Sequence, residues 1–313
     1  MLTENCVHVF GVEQKGQELR FVSAGTAATF VVPSDDKDEF RGWMSIVTAR
    51  HNLMKPDRKT YYDLVAIKMR PIADTNRACF ILAPLITTPK KNFWESPTGL
   101  DLAVLPFPPE LVQSAAFASF KESNILTPEI AEQYGVGPGL LTYSACHQPG
   151  YIMDLDLMLP VAEPIVRIGH LSRLGWQKLP NGKRLTRPHV LDAHTSPGNS
   201  GATVVLNVIQ EDQKVRRSYL LGVIQGYLEE EGSYETYEAP VKVPTGGITL
   251  TASDNSTNTV AMAVKTKANP DLTNVIPVHE LVGLRNRPEW RNVLKPMMMI
   301  REKYRVSKGP VIE

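Results

Sequence analysis

A serine hydroxyl becomes a nucleophile only when a base stands beside it and a third group orients that base. The stretch Asp192-Ala193-His194-Thr195-Ser196-Pro197-Gly198-Asn199-Ser200-Gly201 holds a serine in a setting suited to this chemistry. Gly198 and Gly201 allow a tight turn and let a substrate approach the backbone closely. In such a turn the amides of Gly198 and Ser200 can point into one small space beside the hydroxyl. Two N–H groups placed there stabilise the negative oxygen of a tetrahedral intermediate. Glycine-serine-glycine turns also arise by chance in many loops, so the base and its orienting acid must be found elsewhere in the chain.

Both have candidates upstream. The run Ile46-Val47-Thr48-Ala49-Arg50-His51 is apolar and ends in a histidine. The run Gly99-Leu100-Asp101-Leu102-Ala103-Val104-Leu105 sets an acid at the mouth of an apolar strand, where a charge is costly unless paired. Asp63, Asp74 and Asp154 are rivals, but none precedes the same apolar run. Taken singly, each residue has a plainer reading: a surface histidine, an acidic turn residue, a loop serine. Taken together, His51, Asp101 and Ser200 follow an order, His then Asp then Ser, that fits a base, its orienting acid and a nucleophile.

These motifs resemble the chymotrypsin-like serine protease family, and most nearly the bacterial branch with HtrA-type cores. There the nucleophile turn reads Asp-Ala-x-x-x-Pro-Gly-Asn-Ser-Gly and the base follows Thr-Ala-Ala. The resemblance covers roughly residues 20 to 285 and implies an all-β fold of two six-stranded antiparallel β-barrels with a C-terminal helix. It implies a serine endopeptidase that works through an acyl-enzyme, with no cofactor and no metal. The primary pocket would carry His194 at its base, six residues before Ser200, and Thr195 on its wall. Gln225 and Gly226 would border that pocket on a strand that pairs with substrate backbone. Asn199 precedes the nucleophile where trypsin-type zymogens have an aspartate, so activation by a new N-terminal amine is not expected. Two positions depart from the pattern: Arg50 replaces the second alanine, and Ala202 replaces the second glycine after the serine. A peptide-binding scaffold without activity, or an esterase using the same groups, remains open as an alternative.

The elements that must position these residues are short strands. Val7 to Val12, Leu19 to Ser23, Gly25 to Val32, Trp43 to Thr48, Tyr61 to Met69 and Ala78 to Leu85 are apolar and rich in β-branched residues. With the run after Asp101 they make an N-terminal barrel over 1–110. Pro106 to Pro109 is expected to end its last strand. Residues 111–135 read as a connection, with a helical turn opening at Thr127-Pro128. A C-terminal barrel over 136–285 is expected from Leu140 to Ala145, Ile165 to Ser172, Val190 to Ala193, Ala202 to Leu206, Tyr219 to Tyr227, Ala261 to Val264 and Asn274 to Pro277. Charged or polar stretches at 34–39, 229–232 and 245–258 read as loops. Residues 286–313 read as a helix, from Pro288 to about Lys303, and a tail.

Composition narrows the class. A chain of 313 residues with a net charge of +1 lacks the basic excess of a general nucleic-acid binder. No apolar run is long enough to span a membrane, and the first residues do not read as a signal peptide. Three scattered cysteines, Cys6, Cys79 and Cys146, suggest reduced thiols and a cytoplasmic setting. No cysteine and histidine spacing suggests a metal site. Residues 285–313 hold eight Lys or Arg against three Glu, so the C-terminal helix offers a basic face to a regulatory partner. A helix packed on the second barrel with a solvated face is the plainer account. The expected partner otherwise is a protein or peptide substrate.

Overall fold

Runs of β-branched and aromatic residues fold as antiparallel strands, and their alternating side chains feed separate cores. The computed structural model describes residues 5–15, 18–33, 42–69, 79–87, 91–107, 119–146, 164–179, 181, 184–195, 198–210, 215–228, 236–237, 262–263 and 269–306. The expected loops at 34–39, 229–232 and 245–258, and the tail from 307, lie outside these residues. The first unit holds β1 (Cys6–Lys15), β2 (Glu18–Val32), β3 (Trp43–Ala49), β4 (Leu64–Met69), β5 (Cys79–Pro84), β6 (Trp94–Glu95), β7 (Leu102–Phe107) and β8 (Phe120–Lys121). Helix α1 (Pro128–Gln133) follows, with Thr127 accepting a bond from the Ile130 N–H as an N-cap. The second unit holds β9 (Leu141–Cys146), β10 (Ile165–Arg173), β11 (Trp176–Lys178), β12 (Arg184–Thr186), β13 (His189–Asp192), β14 (Thr203–Gln210) and β15 (Val215–Leu228). It continues with β16 (Thr236–Tyr237), β17 (Met262–Ala263) and β18 (Asn269–Pro277), and α2 (Pro288–Val306) ends the described chain.

The second unit is a closed six-stranded barrel in the order β10-β13-β18-β15-β14-β9. The first is not a six-stranded barrel as expected. It is an eight-stranded sheet in the order β5-β4-β1-β2-β3-β7-β6, with β8 pairing to β2, and among the described residues no pairing closes it. Between β5 and β6 the chain turns on a side chain. Asn92 accepts from the Ile86 N–H and donates to the Pro84 carbonyl, both at 2.8 Å. Three smaller expectations also change. The two runs over 19–32 form one long strand, β2. Pro106 lies inside β7, opposite Ser45, at a point where β6 no longer pairs and no N–H is needed. Met262–Ala263 pairs with Thr236–Tyr237 instead of helping to close the barrel, a task that falls to β18.

The apolar run after Asp101 is buried on both faces. Leu102 and Val104 enter one core with Ala28, Phe30, Val47 and Ala49. Ala103, Leu105 and Phe107 enter the other with Val9, Ile46, Val65 and Ile67. The first of these cores also takes Val205, Leu220, Val223 and Ile276 from the barrel, and Trp290, Val293 and Leu294 from α2. It therefore binds the two units and the helix into one body. Trp290 is 1% exposed. Trp290→Ala is expected to cost about 3–5 kcal/mol, read as a lower midpoint in urea unfolding.

His189 anchors β13 from inside the barrel, where its Nδ1 accepts the Gly175 N–H at 2.8 Å. Burial, and secondarily the neighbouring His279, pushes its pKa from 6.5 down to about 3. Below the ordinary value the unfolded chain gains a proton that the folded chain refuses, so stability is full above about pH 6.5 and falls as pH drops toward 3. Urea midpoints should fall between about pH 7 and about pH 5, and His189→Gln should flatten that slope. An equal slope in both proteins would remove His189 as its source.

Candidate active site

The candidate base is set by the end of a strand. β3 stops at Ala49 and the chain turns through a 3-10 segment, Arg50–Leu53, whose Leu53 packs in the core that holds Ala103 and Leu105. The segment is pinned by the acid loop: the Arg50 N–H donates to the Asp101 carbonyl at 2.9 Å. The His51 N–H donates to Asp101 Oδ1 at 3.0 Å. The imidazole then lies between two partners. His51 Nδ1 is 2.5 Å from Asp101 Oδ2, and His51 Nε2 is 2.6 Å from Ser200 Oγ. Ser200 Oγ is also 3.1 Å from the Gln225 carbonyl oxygen. One hydroxyl proton serves only one of these acceptors at a time.

The Ser200 turn is bent as its glycines suggest. Gly198 and Gly201 have φ of 90° and 84°, the left-handed region that other residues rarely adopt. A Cβ on Gly201 would stand 1.8 Å from the Thr26 carbonyl oxygen, so the turn lies directly against β2. The Ser200 carbonyl accepts from the Thr26 N–H at 2.7 Å and from Asn52 Nδ2 at 2.8 Å. Asn52 Nδ2 also reaches Thr48 Oγ1 at 2.9 Å, and Thr26 Oγ1 donates to the Gly198 carbonyl at 2.9 Å. Among the described residues, the N–H groups of Gly198 and Ser200 meet no protein acceptor. On the far side, the Gly201 N–H donates to the Ile224 carbonyl at 2.7 Å, which seats the turn on β15.

The remaining expected residues divide. Gln225 and Gly226 lie on β15 beyond its last pair with β14, Thr203 with Val223, so their inner edge faces the turn. Thr195 is buried at 3% exposure, and its hydroxyl meets that of Thr273, which donates to the Ala193 carbonyl at 2.6 Å. His194 is not at the base of a pocket. Its side chain is 56% exposed and stands 3.2 Å from the still more open Asp271. Adjacent residues of an extended chain face opposite ways, so burying Thr195 turns His194 outward. A cleft of about 400 Å³ opens beside the imidazole, lined by Arg50, His51, Met54, Arg58, Leu100 and Gln225 among others.

Sequence reasoning missed the anchors Thr26 and Asn52. Asn52 follows His51 directly, and an amide side chain next to a proposed base was the available signal. Thr26 gave none, because its partner lies 174 positions away in the chain. No cluster of metal-ligating side chains is found among the described residues. No helix among them is long and apolar enough to cross a membrane.

Asn52→Ala removes the amide that holds the Ser200 carbonyl and leaves buried acceptors short of a donor. The expected cost is about 1–3 kcal/mol, measured by urea unfolding. Faster amide exchange at Gly201 should accompany it, since the turn loses one of its three ties to the first sheet.

No protein-family model matches the chain, and no curated protein does. Among solved structures it is similar to the MamO protease domain of Magnetospirillum magneticum in its apo form. The identity is 15% and the TM-score 0.40, over 74% of this chain and 87% of that one.

Proposed function

We propose that this chain is a serine endopeptidase that cleaves peptide bonds through an acyl-enzyme. The observation that carries the reading is the unbroken run of contacts from Asp101 to His51 at 2.5 Å and from His51 to Ser200 at 2.6 Å. Ser200 Oγ attacks the scissile carbonyl carbon while His51 Nε2 takes its proton. Asp101, accepting from Nδ1, fixes the tautomer and stabilises the imidazolium that forms. The N–H groups of Gly198 and Ser200 stabilise the oxyanion. His51 then passes the proton to the leaving amine, and the C–N bond breaks. Water enters, gives a proton to His51 and attacks the acyl carbon, and the proton returns to Ser200 as the acid leaves.

The substrate chain pairs with the free edge at Gln225 and Gly226, as a strand added to the barrel. The side chain at the cut turns toward the segment that carries Thr195, with the exposed His194 beside it. The acid on that side, Asp271, stands against the His194 ring rather than alone, so a strong preference for Lys or Arg there is not expected. This catalysis asks for no cofactor or metal. The basic face of α2 remains the place for a regulatory partner, and the cytoplasm the expected setting.

Ser200→Ala and His51→Ala should each lower turnover by about six orders of magnitude and Asp101→Asn by about four. Labelling of Ser200 by a fluorophosphonate and cleavage of a peptide library are the readouts. Wild-type protein that neither labels nor cleaves would defeat the proposal. Ester hydrolysis without peptide cleavage would reassign the chemistry to small acyl groups.

A further inference from the structure

The cleft beside His51 carries a positive charge that the chemistry at Ser200 does not use. Arg50 and Arg58 both line it, together with Met54, Leu100 and Ile276. Arg50 is already engaged: its Nε lies 3.9 Å from Asp101 Oδ1. Its charge also reaches Glu95. Arg58 is different. No carboxylate pairs with it among the described residues.

The nearest acid in the chain, Asp57, is spent on the loop itself. Its carboxylate accepts from the N–H groups of Lys59 and Thr60 at 2.8 and 3.1 Å, and from the Thr60 hydroxyl at 2.9 Å. The loop is closed by the Lys55 N–H donating to the Thr60 carbonyl at 2.7 Å, and by a bridge between Met54 and Tyr61. At its tip Arg58 has φ of 52°, and among the described residues it is the one non-glycine residue with positive φ. That backbone is costly for a long side chain and persists only where its surroundings enforce it. The loop thus spends its acid on its own closure and presents an unneutralised guanidinium on the wall of the cleft.

Substrate geometry says what would meet that guanidinium. A peptide added along Gln225 and Gly226 alternates its side chains between two faces. If the residue at the cut enters the Thr195 side, the residue before it points to the opposite face, toward His51, Leu100 and Arg58. The apolar lining suits methylene groups, and a guanidinium suits a carboxylate at their end. We infer that the cleft is a subsite for an acidic side chain, glutamate in particular, on the second residue to the amino side of the scissile bond. Arg58 is its specificity-determining residue. The inference rests on the proposed hydrolase reading for its register, but the charge selection it describes is a property of binding.

The test separates the two. Fluorescent tetrapeptide acids, mixed at the last residue and carrying Glu, Gln or Lys at the one before it, are titrated against the Ser200→Ala variant by anisotropy. Their C-terminal carboxylate mimics the cleaved product and fixes the register. Glu is expected to bind about fivefold more tightly than Gln, near the upper end for an ion pair open to solvent, with Lys weakest. The advantage should shrink with added salt. Arg58→Asn removes the charge with a residue that tolerates positive φ and should abolish the difference, whereas Arg58→Lys should retain much of it. Equal binding of Glu and Gln peptides to the parent variant, or a Glu advantage that survives Arg58→Asn, overturns the inference. A Glu advantage in a protein that neither labels nor cleaves would uphold the subsite and defeat only the hydrolase reading. With active wild type, kcat/KM on the matching substrates should follow the same order.

Discussion

The backbone carbonyl of Ser200 is held by the other half of the molecule. It takes two hydrogen bonds from the first sheet, one from the Thr26 N–H and one from the Asn52 amide. The serine belongs to the barrel unit and the histidine to the sheet unit, so their 2.6 Å contact depends on how the two units are locked. A shift of one ångström between them would break it. The missing Cβ at Gly201 lets the turn approach β2 closely enough for these bonds to form, because any side chain would collide with the Thr26 carbonyl.

The rest of the interface reinforces that lock by different physics. Apolar side chains from both units and from α2 share one core, which resists separation without directing it. Direction comes from buried polar contacts. Glu280, 6% exposed and just after β18, accepts from Ser96 Oγ at 2.6 Å and from Thr98 Oγ1 at 2.5 Å. Those hydroxyls belong to the loop that delivers Asp101. A buried carboxylate without such donors would be costly, so the loop and the barrel settle together. Asp101 in turn fixes the Arg50–Leu53 turn through a backbone bond and a side-chain bond, and the imidazole follows.

The cleft is built on the same arrangement. The chain leaving the 3-10 turn after His51 passes into the loop that ends at Tyr61, where a bridge to Met54 returns it to the sheet. That loop is placed by its own hydrogen bonds and by the turn that precedes it. Its position beside the imidazole is thus a consequence of the same pinning that sets His51. Charge near the site is distributed unevenly: Asp101 is bonded to His51 and has Arg50 3.9 Å away, while Arg58 lines the open cleft.

Much of the site was legible because local patterns carried it. The glycines around Ser200 announced a bend, and they take the left-handed angles that only such a turn requires. The acid before Leu102-Ala103-Val104-Leu105 announced a paired charge, since the strand behind it is buried on both faces. The N-cap at Thr127 and the helix from Pro288 were equally local. What sequence could not give were relations across long separations. Whether the first sheet closes depends on which distant edges pair, not on strand propensity. Whether His194 or Thr195 faces inward depends on Thr273, which draws the Thr195 hydroxyl into the barrel and leaves the imidazole in solvent. The sequence by itself determined which residues are candidates for the chemistry and the bend that presents the hydroxyl. Only the tertiary structure decided that Thr26 and Asn52 hold that bend, because hydrogen bonds between distant segments leave no periodicity in the chain.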